Sequence, residues 1–303
     1  MAGKRLVSIG ECMIEMSGGA SGQYRLGFAG DTLNTAWYVR AALPKDWQVD
    51  FVTTLGDDIY SDQMAEFLDK NGIGTESIRR ITGKRPGIYL IHQRDGDRHF
   101  TYWRENSAAR QLADDAVALD RALADCEMIY FSGITLAILA PKARHTLLDR
   151  LAERRAAGVL TAFDPNIRPT LWPDAQTLSA AITAGGEVAD IVLPTHADER
   201  PYFGDSSPQA TAERYREWGA REVIVKNGAA PALVAAGETS VLVNAVTSSE
   251  VVDATGAGDS FNGAYLAARL MGAAPEDAAK AAHRVAAIVI GQHGALVDPA
   301  RLT

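Results

Sequence analysis

Val251-Val252-Asp253-Ala254-Thr255-Gly256-Ala257-Gly258-Asp259-Ser260-Phe261 passes from what reads as an apolar strand end, through two glycines, into a helical pattern over 262–270. Glycines at 256 and 258 let the backbone approach a ligand closely. The unpaired N–H groups of a helix start favour negative charge in front of them. Such a nest of amides suits a phosphoryl group in transfer, whose charge must be neutralised. Asp259 stands at the helix mouth, where a carboxylate can take the proton of an attacking hydroxyl. Spacing alone leaves a second reading open: a helix cap at Asp259 and a tight turn at the glycines.

The same strand–turn–helix rhythm extends outward. Continuous apolar runs at 6–9, 51–55, 128–132, 159–163, 191–193 and 222–226 read as strands covered on both faces. Helical patterns at 34–42, 62–70, 141–157 and 212–218 lie between them, and another runs from 276 to about 290. This alternation predicts a doubly wound α/β domain with a mainly parallel sheet. The C-terminal third reads as mostly helical. One region departs from the rhythm: 87–93 and 98–104 are strand-like and joined by Arg94-Asp95-Gly96-Asp97, a strong hairpin signal. No helix follows to cover it, so the expectation is a small β lid, drawn mainly from about 12–28 and 85–105. The chain of 303 residues is expected to form one domain including that lid.

Composition excludes several classes. Hydrophobic residues make up 47% and charged residues 22%, an ordinary globular profile. The net charge of −8 argues against nucleic acid as a partner and requires a local basic cluster for any anionic substrate. Cys12 and Cys126 fit a reducing cytoplasm, and no Cys/His spacing matches a zinc site. Glu11 ends the first apolar stretch too early for a signal peptide, and no window is apolar enough to span a membrane. The chain has no G-x-x-x-x-G-K-[ST] and no G-x-G-x-x-G after its first strand, which disfavours P-loop and nicotinamide-binding enzymes.

The segment 253–261 resembles the C-terminal signature of the ribokinase-like (PfkB-type) carbohydrate kinases. Further matches follow in the family's order. Gly27-Phe28-Ala29-Gly30-Asp31-Thr32-Leu33-Asn34-Thr35-Ala36 resembles its sugar-binding glycine segment, Leu55-Gly56-Asp57-Asp58 its Gly-x-Asp turn, and Val225-Lys226-Asn227-Gly228-Ala229 its nucleotide-side strand end. Gly10-Glu11-Cys12-Met13-Ile14-Glu15, Tyr102-Trp103-Arg104, Ser132-Gly133-Ile134 and the run 164–172 are similar to a subgroup acting on a sugar acid.

The resemblance implies a ribokinase-like fold and a magnesium-dependent transfer from ATP to a sugar hydroxyl. Asp259 would be the base, with Gly256, Ala257 and Gly258 neutralising charge. Gly30, Asp31, Asn34, Tyr89, Tyr102 and Arg104 would hold the sugar, and Arg168 its carboxylate. Asn166, Lys226, Asn227 and Gly228 would border ATP. Asp198 and Glu199 would organise magnesium through water, although Thr195 stands where the family has an Asn. Ala29 replaces the first glycine of a common pair, and Asn227 an Arg often found in the subgroup. A monovalent cation and a homo-oligomer also fit the resemblance. The competing functions are a kinase for a neutral sugar such as fructose or ribose, and a non-catalytic sugar-acid sensor, which would have no need of a base.

Overall fold

The computed structural model describes residues 4–18, 22–94, 97–246 and 251–302. Its central sheet has eight strands in the spatial order Thr239–Val243, Ala232–Ala236, Glu222–Val225, Ile191–Val192, Leu160–Asp164, Met128–Ser132, Arg5–Ile9 and Gln48–Val52. The six from Glu222–Val225 to Gln48–Val52 run parallel, and the other two complete the sheet as an antiparallel edge.

Alternate side chains on a strand point to opposite faces, and both faces here are apolar. Leu6, Met128, Tyr130 and Ile224 enter one cluster, beneath the helices Asp31–Ala42, Ala257–Leu270 and Pro275–Ile290. Val7, Ile129, Phe131 and Val223 enter the other, beneath Pro141–Ala156, Ala175–Glu187 and Pro208–Glu217. The protein is therefore a doubly wound α/β structure, and the C-terminal ends of its parallel strands gather on one edge, where open sheets bind ligands.

The structure departs from the sequence reading in several places, and the helices expected from 62 and 212 begin earlier, at Ile59 and Pro208. The run 51–55 is not one strand. Its pairing with Arg5–Ile9 ends at Val52, after which Thr54–Leu55 pairs with Arg79–Arg80 in a separate ribbon. The helix expected from 34 begins at Asp31, with Gly30 as its N-cap. The C-terminal third is less helical than expected, since it includes the hairpin Ala232–Ala236/Thr239–Val243. Gly237-Glu238 between two apolar runs is a turn signal that would have marked it. Finally, Val251 and Val252 are exposed and do not end a strand; the N–H groups of Val252 and Asp253 bond instead to the carbonyl of Ile290, at 2.8 and 3.1 Å.

A second sheet has the order Tyr24–Ala29, Met13–Gly18, Ile88–Arg94 and Asp97–Trp103. Its central pair is parallel and its outer pairs antiparallel. The hairpin places Tyr89 opposite Tyr102 and Arg94 opposite Asp97; the turn Asp95-Gly96 lies outside the described residues. Met13, Ala29, Tyr89 and Ile91 form its own small apolar cluster. Among the described residues no helix is long and apolar enough to cross a membrane.

Candidate active site

A cleft of about 1040 Å³ opens between the C-terminal ends of the parallel strands and the small sheet. Asp259 lies in the first turn of helix Ala257–Leu270 and lines this cleft. Gly256, the N-cap, adopts φ 78°, a left-handed conformation that costs a side-chain-bearing residue energy. The loop before it is pinned by the Asp253 carboxylate. Its Oδ1 accepts from the Thr255 amide and hydroxyl at 3.0 and 2.7 Å, and its Oδ2 from the Gly294 amide at 2.7 Å. The glycine turn is thus held in shape from two sides. First-turn amides have no partner within their helix, and Gly256 and Gly258 both line the cleft. Ala257 differs from the expectation. Its N–H is directed to the carbonyl of Ala254 at 3.2 Å, and the residue is not among those lining the cleft.

Asp259 is held by Asn34, whose Nδ2 donates to its Oδ2 at 2.7 Å, while the Gly30 amide donates to Asn34 Oδ1 at 3.3 Å. Burial raises the Asp259 carboxyl to about 7, the charges of Asp31 and Asp164 push the same way, and Asn34 and Lys226 oppose them. Burial also raises the Asp31 carboxyl, against hydrogen bonds from Ser132 and Asn166. Asn166, at φ 33° in the left-handed region, donates from Nδ2 to Asp31 Oδ2 at 2.9 Å and from its amide to Asp164 Oδ1 at 3.0 Å.

Beneath these groups runs a network that the sequence reading did not resolve. Lys226 Nζ donates to Asp164 Oδ2 at 3.0 Å and to Asn262 Oδ1 at 3.1 Å, and Asn262 Nδ2 donates to Asp164 Oδ2 at 2.6 Å. Asn262 stands three residues after Asp259, so helical periodicity was the signal for it. Asp164, at the C-terminal end of its strand, was detectable by position.

Arg168 lines the cleft with its side chain 51% exposed; Asp198 Oδ2 is 3.9 Å away. Tyr89, Tyr102 and Arg104 line the wall formed by the small sheet. The Tyr89 and Tyr102 ring centroids are 5.6 Å apart, and the Tyr89 hydroxyl donates to Glu15 Oε2. Arg104 is buried against Glu11, to which its Nη2 donates. Asn227 and Gly228 follow strand Glu222–Val225 in a turn beyond the lining. Glu199 does not belong here. It is fully buried, accepts from Arg214 Nη2 at 2.8 Å and from the Tyr215 hydroxyl at 3.0 Å, and burial pushes it up to about 7. Of the two acidic candidates, only Asp198 faces the cleft. Among the described residues no group of three or more His, Cys, Asp or Glu is arranged to hold a metal.

A second hollow, of about 1070 Å³, opens at the opposite end of the sheet beside Arg5 and Arg40. The guanidinium groups of Arg5 and Arg40 are already engaged, Arg5 by Asp50 and the carbonyl of Ala124, and Arg40 by the carbonyls of Leu43 and Pro44.

A model of the pfkB family of carbohydrate kinases matches residues 4–300. The chain is 40% identical over 301 residues to the 2-dehydro-3-deoxygluconokinase of Escherichia coli K12, covering 97% of both proteins. Among solved structures it superposes on a PfkB protein from Polaromonas sp. with a TM-score of 0.86 at 26% identity, covering 98% of each chain. It superposes on a fructokinase with bound ATP from Xylella fastidiosa with a TM-score of 0.85 at 22% identity, covering 97% of this chain and 94% of that one.

Proposed function

The chain belongs to the pfkB family of carbohydrate kinases, and on that premise we propose that it transfers the γ-phosphoryl group of ATP to the C6 hydroxyl of 2-dehydro-3-deoxy-D-gluconate. The products are 2-dehydro-3-deoxy-6-phospho-D-gluconate and ADP. One observation carries the substrate class. Three Lys or Arg side chains line the cleft, and two are matched at close range, Arg104 by Glu11 and Lys226 by Asp164. Arg168, half exposed and 3.9 Å from Asp198, keeps the freest positive charge, and a guanidinium takes a carboxylate through two parallel hydrogen bonds.

Asp259 accepts the proton of the attacking hydroxyl as the new O–P bond forms and the bond to the β-phosphate oxygen breaks. A carboxyl near 7 is matched to that task at neutral pH. Amides at Gly256 and Gly258 meet the developing phosphoryl charge. Asn166 and Lys226 border the phosphates, with Asn227 and Gly228 further along the nucleotide. Gly30, Asp31 and Tyr102 offer polar groups to the sugar hydroxyls, while Asn34 holds the base. Magnesium typically takes one or two carboxylates, several waters and the substrate phosphates. The cleft fits that pattern, with Asp198 as the carboxylate that would reach the ion through water. When bound, the ion would neutralise phosphate charge.

The small sheet acts as a lid whose closure excludes water. Leu26 and Trp103 on it are exposed, which supports self-association into a homo-oligomer. Cys12 and Cys126 are free and buried, in keeping with a cytoplasmic protein. The test is ADP release measured across sugar acids and neutral sugars. Turnover of 2-dehydro-3-deoxygluconate well above that of fructose and ribose is expected. Preference for a neutral sugar would overturn the substrate, and no ADP release with any sugar would overturn the reaction.

A further inference from the structure

Glu11 and Arg104 meet where the chain passes between the two sheets. Glu11 lies between strands Arg5–Ile9 and Met13–Gly18, and Arg104 directly follows strand Asp97–Trp103. They are 2% and 8% exposed, and both line the cleft. Arg104 Nη2 donates to Glu11 Oε2. Their other groups, Glu11 Oε1 and Arg104 Nε, are buried and have no hydrogen-bond partner among the described residues. Buried groups of charged side chains left in that state cost folding energy. A Cβ at Gly87 would lie 3.0 Å from Glu11 Oε1 and 3.1 Å from Arg104 Cβ, so any larger residue would crowd the free oxygen.

We propose that Glu11 is a specificity-determining residue, whose free Oε1 accepts a hydrogen bond from a sugar hydroxyl and whose charge cancels that of Arg104. This rests on the sugar-kinase reading above. A hydroxyl is the group that satisfies both orphaned atoms, donating to Oε1 and accepting from Nε. A carboxylate at the same place would meet the negative Glu11 at close range. The cleft therefore takes an anionic group at Arg168 and rejects one at Arg104, which favours a sugar with one carboxylate over a sugar diacid.

The experiment compares wild type with Glu11→Gln and Glu11→Asp. Initial rates are measured for the sugar that wild type phosphorylates, with galactarate, a six-carbon diacid, as inhibitor. Glu11→Gln replaces the acceptor by a donor and leaves Arg104 uncompensated. Its KM for the sugar is expected to rise about tenfold or more, since a hydrogen bond to a charged group contributes about 1.5–3 kcal/mol. Its kcat and its KM for ATP should stay within about threefold, and galactarate should inhibit it about tenfold more strongly. Glu11→Asp retains charge but draws the oxygen back by one methylene, so the sugar KM should rise while galactarate stays excluded. Glu11→Asp also carries the test if Glu11→Gln fails to fold. An unchanged sugar KM in a folded variant overturns the hydroxyl contact, and unchanged galactarate inhibition in Glu11→Gln overturns the charge argument. Failure of the proposed substrate would appear in the wild-type rates alone, whereas the role of Glu11 is read from variant-to-wild-type ratios for whichever sugar is accepted.

Discussion

Asn34 Nδ2 donates to Asp259 Oδ2 at 2.7 Å, joining two residues 225 positions apart and fixing the direction in which the candidate base presents its other oxygen. Because Asn34 hydrogen-bonds the carboxylate, it favours the ionised form and works against the burial that raises Asp259 to about 7. Asn34→Ala should therefore move the acidic limb of the kcat/KM–pH profile to higher pH. A limb unmoved or displaced to lower pH would contradict this coupling.

Asp259→Asn removes the proton acceptor but little volume. Turnover should fall about 100-fold or more, the low end of general-base contributions, while sugar and ATP binding measured by calorimetry change little. In wild type, kcat/KM should rise with pH through about 7 as Asp259 ionises.

The same raised pKa has a consequence for stability. The native state holds a proton on Asp259 that the unfolded chain releases at its ordinary value near 3.8. Between these values the folded protein binds more protons, so this group's contribution falls as pH rises and is lowest above about 7. Asp259→Asn should consequently raise Tm at pH 8, with the gain shrinking toward pH 4. An equal shift at both pH values would argue against a raised Asp259.

Arg168→Met should raise KM for the sugar acid by about 10- to 150-fold, the equivalent of 1.5–3 kcal/mol for a charge-assisted contact, with little effect on any neutral sugar the enzyme accepts. Steady-state kinetics on paired acids and neutral analogues would decide it, an unchanged acid KM counting against the clamp.

Asp198 and Glu199 should separate cleanly. Asp198→Asn is expected to raise the magnesium concentration needed for half-maximal activity. Glu199→Ala leaves Arg214 without one of its two carboxylates and should lower stability by about 3–5 kcal/mol, while the magnesium requirement of the remaining folded enzyme stays the same. Denaturant unfolding and a magnesium titration of both variants are the measurements.

These two neighbours illustrate what the sequence could and could not convey. Successive helical residues point about 100° apart, so one faces the cleft and the other the core. The choice between them required the phase of helix His196–Phe203, whose start is marked by no side-chain cap. The central sheet was legible because continuous apolar runs are a local signal, and Asp259 because its glycines are adjacent to it. The Glu11–Arg104 pair and the Asn262–Asp164 bond connect residues 93 and 98 positions apart, and no local pattern announces such contacts. The hairpin at 232–243 was missed for another reason: its first strand, Ala232–Ala236, is alanine-rich and resembles a helix when judged by composition.

The parallel pairing of Met13–Gly18 with Ile88–Arg94 unites segments separated by one strand of the same sheet, two helices and three strands of other sheets. Such a ladder closes only after the intervening chain has found its place. The four-stranded cover should accordingly be among the last parts to acquire amide protection during refolding, and among the first to exchange when the native molecule breathes.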